Sequence, residues 1–208
     1  MSKSDATRLI CKVVLLGESG VGKTSIITQF VKNEFSDYLT SSIGAEFLTK
    51  TVEFDSHNKI IDFEIWDTAG QERFRAMSKI FYADAEIALL VYDITKEDSF
   101  QEIKKYWMNE IKENASNNII IGIVANKCDL MEEEKVNEND ARSFANNFQA
   151  AFFPASAKDK DGINELFYEI GKIYLEKLGV NGVTKRGNKN KKKLSKDQNK
   201  ETKNNKCC

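Results

Sequence analysis

An α/β protein with a doubly wound, mostly parallel sheet of about six strands is what three features of the sequence predict. Short apolar runs alternate with segments whose apolar residues recur at helical spacing. Several runs are apolar throughout, as strands covered on both faces must be. The chain has 208 residues, 41% hydrophobic and 30% charged, enough for one well-buried core with a remainder to place.

The elements follow in order along the chain. Arg8 to Leu16 contains Val-Val-Leu-Leu and ends at a glycine-bearing turn. Ile26, Ile27, Phe30 and Val31 then repeat at helical spacing. Phe47 to Phe54 and Lys59 to Trp66 are strands joined by Asp55-Ser56-His57-Asn58, a loop of turn formers, so they pair antiparallel. Ile87 to Tyr92, Ile119 to Ala125 and the short Ala151 to Pro154 are the remaining apolar runs. Helical stripes lie between them: Phe100, Ile103 and Trp107; then Ala141, Phe144, Ala145 and Phe148. A last stripe, Ile163, Leu166, Phe167, Ile170, Ile173 and Tyr174, has Gly179 as its expected stop. The expected fold has about five helices in all.

Beyond about Val180 the apolar period vanishes, and residues 181–206 are rich in Lys, Asn, Gly and Ser. Such a composition cannot bury enough to offset the entropy of ordering. The expected organisation is therefore a compact domain over 8–178 and a disordered tail over 179–208. The net charge of −1 conceals an asymmetry, because the segment from Lys185 onward carries a net +8 and the rest a net −9. An acidic body excludes a nucleic-acid-binding role for the domain and leaves the basic tail to be explained. No apolar run approaches the ~20 residues that span a bilayer, and the first residues lack the apolar stretch of a secretion signal. Of four cysteines, Cys11 and Cys128 are isolated in the body while Cys207 and Cys208 are terminal. That is no disulfide framework, and it fits a reducing compartment.

Gly17-Glu-Ser-Gly-Val-Gly-Lys23-Thr24 matches the GxxxxGK[ST] pattern, after a strand and opening a helix. Its glycines let the backbone wrap a polyphosphate with N–H groups pointing inward. Ser19, Gly20, Val21, Gly22, Lys23, Thr24 and Ser25 are the candidate phosphate-binding residues. Lys23 is placed to reach the β and γ phosphates and the Thr24 hydroxyl to bind Mg²⁺. Asp67-Thr-Ala-Gly70-Gln71 follows the third strand; an aspartate there can hold Mg²⁺ through water, and Gly70 can offer its N–H to a γ-phosphate. Asn126-Lys127-Cys128-Asp129 closes the most apolar strand. The Asp129 carboxylate can accept two hydrogen bonds from guanine, which adenine cannot supply. Lys127 can lie along the base plane by its stem, and Ser156-Ala157-Lys158 would face the other edge of the base. Three elements at three strand ends agree with ligand binding at the carboxyl edge of such sheets.

GESGVGKT, WDTAGQE, NKCD and SAK, in this order, resemble the Ras superfamily of small GTPases with its P-loop fold. IGAEF (Ile43 to Phe47), WDTAGQERF, LVYDIT (Leu90 to Thr95) and the terminal Cys-Cys resemble the Rab family within it. IGAEFLTKTV is similar to the early-endosomal Rabs. The likeness covers about residues 8–178 and the terminus.

The resemblance implies a GTP/GDP switch in vesicle trafficking that hydrolyses GTP slowly on its own, with Mg²⁺ held by Thr24, Ser42 and Asp67. Phe35 is implied to pack over the guanine and Gln71 to orient the attacking water. Ser42 stands where the family has a threonine, and Ala83-Asp84 stands where Rabs show Arg-Gly. Phe47, Trp66 and Phe81 are implied to form an effector surface. The two loops implied to switch are about Glu34 to Gly44 and Gly70 to Lys79. Cys207 and Cys208 are implied to carry geranylgeranyl groups beside the basic tail, which suits an anionic membrane surface.

The implied partners are an exchange factor, a GTPase-activating protein, effectors, an escort protein and a GDP-dissociation inhibitor, the chain itself being a monomer. Its expected place is the cytoplasmic face of an endosomal membrane, cycling with the cytosol. Two rivals come from the P-loop alone. A small-molecule kinase would need a lid with more arginines than Arg73 and Arg75, and a static nucleotide-binding scaffold would not need Lys23, Thr24, Asp67 and Gln71 intact. The only histidine, His57, lies in a hairpin loop and carries no chemistry.

Overall fold

The computed structural model describes residues 6–36, 46–68 and 80–185. Its strands are β1 Thr7–Leu16, β2 Glu46–Phe54, β3 Lys59–Asp67, β4 Ile87–Asp93, β5 Ile120–Asn126 and β6 Ala151–Pro154. They form one sheet in the order β2-β3-β1-β4-β5-β6. The hairpin pair β2–β3 is antiparallel and every other neighbouring pair is parallel. The doubly wound α/β fold expected from the alternating pattern is the fold observed.

The helices α1 Lys23–Lys32, α2 over 97–114, α3 Glu138–Asn147 and α4 Ile163–Lys185 flank the sheet. Within α2 the stretch Ile103–Trp107 winds as a π-helix. The stripe across it stays inward, with Ile103, Trp107, Met108 and Ile111 all buried. One core cluster joins β1 and β3 residues to α1 and α4, through Ile26, Ile27, Leu166, Phe167 and Ile170. The other joins alternate residues of β1, β4 and β5 to α2 and α3. Between these two layers every residue of β4 is buried, which is why its sequence shows no alternation. The strand β3 lies nearer the margin and does alternate: Ile61, Phe63 and Ile65 are buried, while Asp62, Glu64 and Trp66 take the other face.

A backbone approach fixes the seat of α4. A Cβ at Gly171 would lie 2.4 Å from the Phe54 ring, so only glycine lets the helix settle this close to the sheet. Gly179 does not end α4 as the sequence predicts, since the helix continues to Lys185. Glycine inside a helix costs only about 1 kcal/mol relative to alanine, and a helix already held by four turns of packing propagates past it. The tail beyond Lys185 lies outside the described residues.

Candidate functional site

The parallel strands β1, β3, β4 and β5 all end at one edge of the sheet, and the chemistry-bearing residues sit at those ends. The turn after β1 leads into α1 through Gly22, whose φ of 95° lies in the left-handed region. A Cβ there would fall 2.2 Å from the Asn126 side-chain nitrogen, so glycine is required on both counts. The start of α1 has no side-chain cap, unlike α3, where the Asn137 side chain accepts from the N–H groups of Asn139 and Asp140. Uncapped N–H groups at a helix start favour an anion.

Lys23 is 5% exposed and donates to the carbonyl oxygens of Gly17 at 2.9 Å and Glu18 at 2.8 Å. Burial lowers its pKa from 10.5 to about 8, against the opposing pull of the Asp67 and Glu18 carboxylates. A buried ammonium bonded to two carbonyls, with no acceptor for its third proton among the described residues, fits a phosphate-binding role. The Thr24 hydroxyl donates to Asp67 Oδ2 at 2.6 Å, and Asp67 is 1% exposed at the end of β3. Hydroxyl and carboxylate thus meet beside the anion cradle, an oxygen donor set that suits Mg²⁺ completed by water and phosphate. Among the described residues no cluster of three His, Cys, Asp or Glu side chains could hold a metal alone.

The end of β5 is tied to its neighbours. Asn126 Nδ2 donates to Val21 O at 2.8 Å, and Asn126 Oδ1 accepts from Ala157 N at 3.3 Å. One buried side chain therefore joins the turn after β1 to the loop after β6. Lys127 has a left-handed φ of 69°, and its ammonium lies 2.6 Å from Asp93 Oδ2. Ser156 Oγ donates to Asp129 Oδ1 at 2.7 Å and accepts from Asp159 N at 3.0 Å. Lys158 is exposed. The sequence did not single out Asp93 for its own chemistry, although an acid closing an otherwise apolar buried strand is a visible signal.

The other expected residues divide in two. Ser19 and Gly20 are exposed in the turn, Ser25 is half-buried in the first turn of α1, and Phe35 is 37% exposed after α1. Ser42, Gly70, Gln71, Cys207 and Cys208 lie outside the described residues. On the outer face of β2 and β3, the Trp66 ring lies 5.1 Å from Phe47 and 5.4 Å from Phe81 between centroids. The Phe47–Trp66 contact follows from their direct pairing across the hairpin.

The sequence has counterparts among known proteins. A family model described as Ras family matches residues 12–176. Ras-related protein Rab-22A of Homo sapiens is 46% identical over 161 residues, covering 77% of this chain and 81% of that protein. Ras-related protein Rab-31 of Mus musculus is 42% identical over 181 residues, or 85% of this chain and 91% of its own. Polar and glycine-bearing motifs gathered at the carboxyl edge of this sheet and likeness over most of both lengths lead to one conclusion: the chain belongs to the Ras family, in its Rab branch, and is a small GTPase of vesicle trafficking that binds GTP and GDP with Mg²⁺ and hydrolyses GTP.

Proposed function

We propose that the cleft reads guanine at one end and holds Mg²⁺-bound phosphates at the other, with roles residue by residue. The turn from Ser19 to Ser25 wraps the phosphates with its backbone N–H groups, and Lys23 supplies the buried cation. Thr24, Ser42 and Asp67 would hold Mg²⁺, which would supply positive charge to the phosphates. Asp129 accepts from the guanine edge, Lys127 lays its stem along the base plane, and Phe35 flanks the ring. Asn126, Ser156, Ala157 and Lys158 fix and line the base pocket. Gln71 orients the attacking water, and Gly70 meets the γ-phosphate with its N–H.

The observation that carries this reading is the Asn126 side chain, which binds both Val21 O and Ala157 N. It couples the phosphate turn and the base loop into one unit matched to a nucleoside polyphosphate. Phe47, Trp66 and Phe81 form the surface that effectors meet in the GTP form. An exchange factor, an activating protein and a GDP-dissociation inhibitor are the further partners. Cys207 and Cys208 carry geranylgeranyl chains added with an escort protein. Two chains and a net +8 tail hold the protein stably on an anionic surface, at an endosomal membrane.

Two experiments test this. Fluorescent GDP bound to the protein is displaced by GTP and not by ATP if the base reading is right, and displacement by both overturns it. Replacing Cys207 and Cys208 with serine leaves nucleotide binding intact and moves the protein to the cytosol; persistent sedimentation with membranes overturns the anchor.

A further inference from the structure

The carboxylate of Asp93 is 1% exposed and is held on both sides. Its Oδ1 accepts from the Thr95 N–H at 2.9 Å and from the Thr95 hydroxyl at 2.7 Å. Its Oδ2 is left for the Lys127 ammonium at 2.6 Å. Asp93 is itself anchored to the base loop, because it pairs in register with Asn126 across β4 and β5. The next residue, Ile94, donates its N–H to Asn126 O at 3.1 Å. Burial pushes the Asp93 carboxyl up, yet the Lys127 ammonium and the two Thr95 donors outweigh it and hold the carboxyl below its ordinary range.

We infer that Asp93 is a positioning residue for nucleotide binding, a fixed buried anion that pins the Lys127 ammonium so that the lysine stem lies rigidly along the base plane. A lysine side chain has many rotamers, and an unpinned one would lose that freedom on every binding event. The αL backbone at Lys127 aims the side chain, and Asp93 fixes its far end. Thr95 completes the device by orienting the carboxylate. The inference rests on the proposed role of Lys127 at the base plane. It differs from the role of Asp129, because a stem along the ring plane grips any purine, whereas a carboxylate at the ring edge selects guanine.

Release of fluorescent GDP from the full chain is measured for wild type, Asp93→Asn, Lys127→Met and the double variant, with IDP in parallel. Asp93→Asn is expected to speed release about tenfold, for GDP and IDP alike. In the Lys127→Met background, which keeps the stem and removes the ammonium, Asp93→Asn is expected to add less than twofold. An equal factor in both backgrounds means that Asp93 acts through the fold, and the proposal fails. It also fails if Lys127→Met speeds release but Asp93→Asn does not, which leaves the Lys127 reading standing. If Lys127→Met itself changes nothing, both readings fall. Should Asp93→Asn not fold, Thr95→Ala gives the same cycle with a smaller effect in the same direction, and its additivity with Lys127→Met overturns the proposal.

Discussion

At the proposed base end the polar side chains find partners within the protein, whereas at the proposed phosphate end they are held in environments that suit a ligand better than they suit the protein. Asn126 spans two loops, Lys127 rests on Asp93, and Asp129 rests on Ser156. The phosphate end has a buried ammonium on two carbonyls and an uncapped helix start. The side-chain cross-link from Thr24 to Asp67 uses groups that would turn to a metal. The base end is prebuilt for recognition, and the phosphate end is completed by what it binds. A switch needs that division, since the end that senses the γ-phosphate must change while the end that retains the nucleotide must not.

The contrast can be broken from either side. The largest effect is expected for Asp129→Asn, which removes the charge proposed to accept two hydrogen bonds from guanine. Each bond to a charged group contributes about 1.5–3 kcal/mol, so GTP affinity falls by several kcal/mol and xanthosine triphosphate becomes the better ligand. Competition between the two nucleotides checks this, and unchanged GTP affinity removes Asp129 from the base pocket.

Lys23→Met sharpens the comparison at the other end. It is expected to weaken GTP binding strongly while leaving the nucleotide-free protein as stable as wild type or more so, because it replaces a buried cation with an apolar chain. Urea unfolding in EDTA measures this. A large loss of nucleotide-free stability would mean that Lys23 supports the fold itself.

Ser156→Ala removes the donor to Asp129 and the acceptor for Asp159 N. Its expected cost is about 1 kcal/mol in GTP affinity, with the preference for guanine retained. Titration with GTP and ITP reads both quantities.

A separate effect is on pH dependence. Lys23 titrates near 8 in the fold and near 10.5 unfolded, so between those values the unfolded chain binds more protons at this site. Stability therefore gains from this group as pH rises through that window. The unfolding free energy of wild type relative to Lys23→Met should climb from pH 8 to 10.5 in the nucleotide-free state. A flat difference contradicts the buried-cation reading.

The fold was legible because its central strands are apolar throughout and end at recognisable turns. Trp66 could be placed on the outer face from its register with Asp62 and Glu64, and the ring contacts with Phe47 and Phe81 agree. The site motifs were legible as well, since each lies at a strand end. Their cross-links were not: Asn126 to Val21 spans 105 residues, and Asp129 to Ser156 spans 27. Only the strand order brings those loops together. Gly179 misled for a different reason, since local propensity favours a stop where packing of the preceding turns carries α4 on.

Amide hydrogen exchange on the full chain, nucleotide-free and with GDP and Mg²⁺, tests the asymmetry most directly. The account predicts that added protection is concentrated in residues 17–25, with much smaller gains at 123–129 and 154–158. Equal gains at both ends, or larger gains at the base end, would contradict it.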